Sequence, residues 1–184
     1  MPNTPRRSLA LTVALLAAAC GPPRPPRPAG QGASAAATAD SLVVERSPCF
    51  GTCPAYRARL TRDGDVRYEP RQPGRGPAVD TTVVTARVDP GTLAALLEGA
   101  DSAGVFALPE RVAADGALCA VALTDHSTVT VSRFAGGDVR RVEDDLGCRP
   151  ASDTSDAGRR LARLRAWEAR VDSVIGAARW ARRP

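Results

Sequence analysis

A strict alternation of apolar and polar side chains over Ala55–Thr61 is the feature that most constrains the fold. The apolar positions are Tyr56, Ala58 and Leu60, and the polar positions between them are Arg57, Arg59 and Thr61. Alternation of this kind predicts a half-buried strand with one wet face. The pair Asp63-Gly64 tolerates the positive φ of a tight turn, and Val66 and Tyr68 then continue the inner face. The segment therefore predicts an antiparallel hairpin.

The rest of residues 41–184 continues this pattern of short strands, with two helices. Further strands are predicted over residues 41–46, 80–88, 120–124, 128–134 and 139–142. A first helix is predicted from Asp89-Pro90, a good start signal, to about residue 103, with Gly104 as its stop. A second is predicted over residues 159–182, because apolar residues recur there every three or four positions. This order predicts an α+β fold: an antiparallel sheet built from hairpins, with two helices packed on one face.

The N-terminal residues 1–19 read as an export signal. Arg6 and Arg7 precede an apolar stretch, and three alanines precede Cys20. The run Leu-Ala-Ala-Ala-Cys resembles the bacterial lipobox, which implies lipid attachment at Cys20 and a stable membrane anchor. Gly21 resembles the residue found there in lipoproteins sorted to an outer membrane. The alternative is ordinary cleavage near Ala19, with Cys20 as an incidental thiol.

These features predict three segments. They are a lipoprotein signal peptide at 1–19, a lipidated Cys with a Pro/Ala-rich tether at 20–40, and a single α+β domain at 41–184. No stretch of about 18 apolar residues follows the signal, which argues against a polytopic membrane protein. We therefore expect an exported protein, lipid-anchored in the cell envelope at an outer membrane and facing the periplasm. Export also argues against a nucleic-acid partner.

Four further cysteines lie in the domain: Cys49, Cys53, Cys119 and Cys148. An even number in an exported domain indicates two disulfides, and four cysteines allow three connectivities. Local spacing favours Cys49–Cys53, which closes a small loop around Gly51, and Cys119–Cys148.

The segment that contains the first cysteine pair also carries a resemblance. Residues 47–56 read Ser-Pro-Cys-Phe-Gly-Thr-Cys-Pro-Ala-Tyr, followed by Asp63-Gly64 and Tyr68. This resembles a bacterial family with a domain of unknown function, whose members carry C-F-G-x-C-P-x-Y, often behind a lipoprotein signal. Weaker matches are Thr124-Asp125, the strand from Thr128 and the late Trp180. The resemblance implies one domain over most of residues 43–180 and no assigned activity.

Two arrangements of reactive residues could carry chemistry, and each also has a structural interpretation. Cys49, Cys53 and His126, the single His, would form a soft copper site, and Cys49-x3-Cys53-Pro54 resembles the loop of Sco-type copper chaperones. Those proteins place a helix after the loop, whereas an alternating strand follows here, so we expect a structural disulfide. Asp125-His126-Ser127 contains the residue types of a catalytic triad, but adjacent residues cannot align as base and nucleophile. We expect a polar turn or strand edge there.

Two clusters of charged residues could bind a ligand or surface, and each also has a simpler structural interpretation. Glu143-Asp144-Asp145 lacks the spacing of a calcium loop, so we expect a solvated acidic turn. The C-terminal helical segment is basic, with eight Arg against three acids from residue 155 onward. Such a surface can bind anionic lipid or polymer, although a solvated helix face is the simpler interpretation.

The sequence thus predicts a non-enzymatic binding or structural module with no catalytic residues and no cofactor. The expected partners are the membrane, through the N-terminal lipid, and another envelope protein or an anionic envelope surface. The alternative is a thiol-redox or copper-handling lipoprotein that uses Cys49 and Cys53.

Overall fold

The computed structural model of the chain describes residues 40–72, 78, 80–114 and 116–177. The predicted signal peptide 1–19, Cys20 and the tether up to residue 39 lie outside the described residues, as does Trp180. No helix within these described ranges is both long and apolar enough to cross a membrane.

A seven-stranded, mostly antiparallel sheet forms the centre of the fold. In chain order its strands are β1 (Ser41–Arg46), β2 (Ala55–Thr61), β3 (Asp65–Arg71), β4 (Val84–Arg87), β5 (Arg111–Val112), β7 (Thr128–Ala135) and β8 (Asp138–Asp145). Their order across the sheet is β4-β3-β2-β1-β7-β8-β5, and only β5 runs parallel to its neighbour β8. The strands β6 (Val121–Ala122) and β9 (Cys148–Arg149) form a separate antiparallel pair.

Two helices complete the α+β fold that the sequence predicts. The helix α1 spans Thr92–Ala103 and the helix α2 spans Asp156–Ile175. The Ser155 side chain caps α2 by accepting a hydrogen bond from the Gly158 N–H at 3.0 Å. The helices contact each other through Trp167, whose indole Nε1 donates to the Leu96 carbonyl at 2.9 Å. Their packing on a single face of the sheet stays a prediction.

The core is continuous because the inner residues of each strand lie beside those of its neighbours. Val44 on β1 pairs with Ala58 on β2 and with Val131 on β7, and all three are buried. The Tyr56 and Tyr68 rings lie 4.9 Å apart in the same core. Side chains from α1 and α2 belong to this cluster; they are Leu93, Leu96, Leu161, Leu164, Trp167, Val171 and Ile175.

Several predicted boundaries were wrong, for identifiable physical reasons. The strand predicted over residues 80–88 is only Val84–Arg87, and the segment 120–124 pairs with β9 rather than with the main sheet. The first helix begins at Thr92, because the Asp89 side chain and carbonyl accept from the N–H groups of Gly91 and Thr92 in a turn before it. The second helix ends at Ile175 rather than near residue 182, since Gly176 takes the left-handed conformation that closes a helix.

Candidate functional site

A cluster of charged side chains lies within the core where α2 covers the sheet. Arg46 is at the end of β1, in register with Tyr56 on β2. It shares the inner side of β1 with Leu42 and Val44, because side chains alternate along a strand. The sheet therefore places a guanidinium group in an otherwise apolar layer.

Arg46, Tyr56 and Asp172 of α2 form one hydrogen-bonded group. The Arg46 Nε donates to the Tyr56 hydroxyl at 3.2 Å and to Asp172 Oδ1 at 3.4 Å. The Arg46 Nη2 also donates to Asp172 Oδ2, and the Tyr56 hydroxyl donates to Oδ1. Burial, together with the negative charge of Asp172, raises the pKa of Tyr56 well above its ordinary value. Tyr56 therefore stays a neutral donor that holds the carboxylate in place.

A second ion pair lies deeper, between β8 and α2. Asp144 has no exposed surface, and Arg165 contacts it with two hydrogen bonds, Nε to Oδ2 at 2.9 Å and Nη2 to Oδ1 at 3.2 Å. The same Nη2 donates to the Asp145 and Cys148 carbonyls, both at 3.1 Å. Burial raises the pKa of Asp144 although Arg165 opposes the shift. The pair attaches α2 to the end of β8.

Glu168 lies on α2 between Arg165 and Asp172, the α2 members of these two ion pairs, and has no ion-pair partner of its own among the described residues. The residue is 3% exposed, and no group in the described part of the chain hydrogen-bonds to its Oε1. Burial raises the pKa of Glu168 to about 8; Asp144 and Asp172 add to the shift, while Arg46 and Arg165 oppose it. At neutral pH the carboxyl is therefore protonated, and the cluster holds two guanidinium groups and two carboxylates.

An open groove of about 600 Å³ lies above the Arg46–Asp172 pair. Its apolar walls include Pro54 just before β2, Leu146 just after β8, Ala169 on α2 and Ala177 beyond the end of α2. Its polar groups are Arg46, Asp172 and the hydroxyls of Ser127 and Ser173. A concave apolar surface with a few convergent polar groups is the usual form of a small-molecule site.

The first predicted disulfide lies at this groove. Cys49 and Cys53 are bonded, both are half-buried, and Cys53 is one of the groove-lining residues. The loop they close contacts the turn before β7, where the Phe50 N–H donates to the Asp125 carbonyl at 3.1 Å. Asp125 takes a positive φ of 67°, a conformation that Asp tolerates better than most residues. The disulfide therefore stands between the groove and an exposed turn.

The second pair, Cys119 and Cys148, consists of two buried free thiols in this structure. Cys119 donates to the Val121 carbonyl at 3.2 Å. Burial is the main cause that raises the pKa of Cys148 to about 12, and the neighbouring Cys119 adds to the shift. The Cys148 thiol is therefore protonated at neutral pH. The structure brings these two side chains together without joining them, and the predicted bond stays a prediction.

The other sequence-predicted groups are not brought together. Asp125 and His126 are exposed in a turn, and only Ser127 is buried, so the expected polar turn is found. The expectation of a solvated acidic turn at residues 143–145 was wrong, because these residues belong to β8 and its end. Glu143 contacts Arg111 and Arg141, whereas Asp144 faces α2. Within the described ranges no three His, Cys, Asp or Glu side chains converge as metal ligands, the set Cys49, Cys53 and His126 included.

The buried cluster was missed although the sequence carries its signal. Arg46 has the same strand parity as Leu42 and Val44, and Asp144 has that of Val142. Glu168 and Asp172 fall at helical spacing among the apolar residues of α2. Ionisable residues at apolar positions of three separate elements indicate that those positions meet.

Comparison with known families assigns the chain to one of them. Residues 40–164, more than half of the chain, match the family described as Domain of unknown function (DUF6438). The chain therefore belongs to this family. A search of curated proteins finds no match.

Proposed function

We propose that this member of the DUF6438 family is a lipid-anchored module of the cell envelope that binds a small ligand in the groove between the Cys49–Cys53 loop and α2. The observation that carries the proposal is the groove itself. It combines apolar walls with a charged floor, and a volume of about 600 Å³ is in the range of ligand sites. Binding, rather than catalysis, is favoured because Asp172, the carboxylate among the lining residues, is bonded to Arg46 and Tyr56 rather than to a hydroxyl nucleophile.

The anchor is supported by the sequence of residues 1–40. The apolar signal, the lipobox-like run before Cys20 and the Pro-rich segment after it are the parts of a lipoprotein leader and tether. An extended tether of this length holds a domain up to roughly 60 Å from the lipid. An oxidising envelope compartment would also suit the Cys49–Cys53 bond and closure of Cys119–Cys148.

Two measurements test the two halves of the proposal. Cell fractionation should find the wild-type chain in the membrane fraction and a Cys20→Ser variant in the soluble periplasmic fraction. Native mass spectrometry of the chain purified from its own envelope should show a bound small-molecule mass. That mass should be lost in Ala169→Trp, which fills the groove from an exposed helix position.

The matched control for the second measurement is Ala162→Trp. Ala162 is exposed on the same helix, two turns earlier, and does not line the groove. Retention of the ligand in Ala162→Trp and its loss in Ala169→Trp would support the groove. Equal ligand occupancy in both variants would contradict it, and an unmodified Cys20 would contradict the anchor.

A second candidate is thiol–disulfide exchange, favoured by the position of Cys53 in the groove. A substrate thiolate would attack the Cys53 Sγ, form a mixed disulfide with Cys53 and release the Cys49 thiolate. The second thiolate of the same dithiol substrate would then attack the substrate sulfur of this mixed disulfide and release the Cys53 thiolate. The substrate would leave as a disulfide and the protein as a dithiol. A redox titration decides: about −120 to −270 mV supports exchange, whereas a potential below about −300 mV makes the bond structural.

A further inference from the structure

The floor of the groove presents hydrogen-bond donors that the protein does not use. Of the five N–H groups of Arg46, Nε–H serves Tyr56 and Asp172, and one on Nη2 serves Asp172. The other three N–H groups have no acceptor among the described residues. The nitrogens of Arg46 are not among the fully buried atoms that lack a hydrogen-bond partner. Arg46 lines the groove with a side chain that is 15% exposed, so we infer that these N–H groups are the donors available to a ligand there.

The carboxylate of the floor, by contrast, is already engaged by donors of the protein. Asp172 Oδ1 accepts from Arg46 and Tyr56, and Oδ2 accepts from Arg46. Ser127 and Ser173 also line the groove, and a hydroxyl can donate as well as accept. The charged donors of Arg46 therefore favour a ligand group that brings acceptors, and a guanidinium edge matches the two oxygens of a carboxylate.

The walls determine what is attached to that group. Pro54, Leu146, Ala169 and Ala177 offer apolar carbon, and Cys53 adds a sulfur. A compact apolar body would be removed from water there, whereas a second charged group would meet no opposite charge on the walls.

The charge balance of the buried cluster allows an anion. With Glu168 protonated, Arg46 on β1 and Arg165 on α2 balance Asp144 on β8 and Asp172 on α2. Ionisation of Glu168 would add an uncompensated negative charge below the groove. Ionised Glu168 would therefore repel an anionic ligand, whereas protonated Glu168 adds no such repulsion.

We propose that the groove binds a small apolar carboxylate, with its carboxylate on the free edge of Arg46 and its apolar part between Pro54 and Ala169. This inference rests on the proposed function and names its ligand class. Two sources share the chemistry: an alkanoic acid and the C-terminal residue of a short apolar peptide.

The test is a calorimetric titration of the exported, disulfide-bonded protein with two pairs of probes. The pairs are octanoate with octanamide, and N-acetyl-Leu-Leu as free acid with its C-terminal amide. At pH 6.5 we expect one acid or both to bind at least tenfold more tightly than the matching neutral amide. The acid that binds more tightly identifies the source.

Variants separate the carboxylate contact from the fold. Arg46→Lys keeps the charge but loses the planar fork, and should weaken acid binding at least tenfold with little effect on amide binding. Ala169→Trp leaves the Arg46 ion pair intact and should abolish binding of every probe, whereas Ala162→Trp should bind like the wild type. Above pH 8 acid binding should weaken in the wild type and not in Glu168→Gln.

Each contrary result has one meaning. Equal affinity for acid and amide would overturn the carboxylate assignment and leave the groove as a ligand site. If none of the four probes binds, the carboxylate assignment is also overturned. Native mass spectrometry of the co-purified ligand would then decide the proposed function. Acid binding that survives Ala169→Trp would overturn both.

Discussion

Replacing Glu168 with Gln should remove a large pH dependence of stability. In the folded protein burial raises the pKa of Glu168 from an ordinary 4.5 to about 8. Between these values the folded protein keeps a proton that the unfolded chain has released. The free energy of unfolding therefore falls as pH rises, by about 1.4 kcal/mol per pH unit. The full contribution, about 4 to 5 kcal/mol, is present below pH 4.5 and lost once pH passes 8.

Gln resembles the protonated acid and does not ionise. The free energy of unfolding of Glu168→Gln should therefore stay constant over the pH range in which that of the wild type falls. We expect the two proteins to differ by about 1 kcal/mol or less at pH 5. At pH 8.5 the variant should be more stable by several kcal/mol. The assay is urea denaturation from pH 5 to 9, with unfolding free energies compared at each pH. Glu98→Gln, at an exposed position of α1, is the matched control and should follow the wild type.

The difference between the two curves carries the test, because other titrating groups are common to both proteins. Parallel curves of unfolding free energy against pH for wild type and Glu168→Gln would contradict the claim that folded Glu168 keeps its proton at neutral pH. They would mean that Glu168 ionises in the fold at little cost, through water or a rearranged ion pair.

Three further predictions concern the fold around the groove. Arg165→Met leaves Asp144 buried and unpaired and should cost about 3–5 kcal/mol by urea denaturation, whereas the double variant Asp144→Leu/Arg165→Met should recover most of this loss. Gly64→Ala should lower the melting temperature more than Gly136→Ala: both positions have positive φ, but only a Cβ at 64 would meet a carbonyl, that of Val88 at 2.3 Å. Intact mass spectrometry of the exported chain, with and without reductant, should show two disulfides; a mass with one would leave Cys119 and Cys148 as permanent thiols.

Much of the fold could be predicted because its signals are local. The bounds of β1 and β2 follow from alternation and from the flanking Pro and turn residues, and α1 ends at Gly104 as expected. The two-residue strands β5 and β9 were missed, since such short segments show no periodicity. Each forms only because a distant partner lies beside it, β8 for β5 and β6 for β9.

The candidate site was harder to predict because its residues meet only in three dimensions. The cysteine loop was located from its spacing, and its disulfide is present. Arg46 and Asp172 are 126 positions apart, and their pairing depends on how α2 crosses the sheet. The acidic run at residues 143–145 misled because strand alternation sends Asp144 and its neighbours to opposite faces.

Photo-crosslinking in living cells tests most directly whether the groove is a ligand site. A benzophenone amino acid would replace Ala169 in one strain and Ala162 in a second, and ultraviolet light would be applied before the protein is purified. If the groove binds a ligand, we expect a small-molecule mass adduct at position 169 and none at 162. The same adduct at both positions, or none at 169, would contradict it.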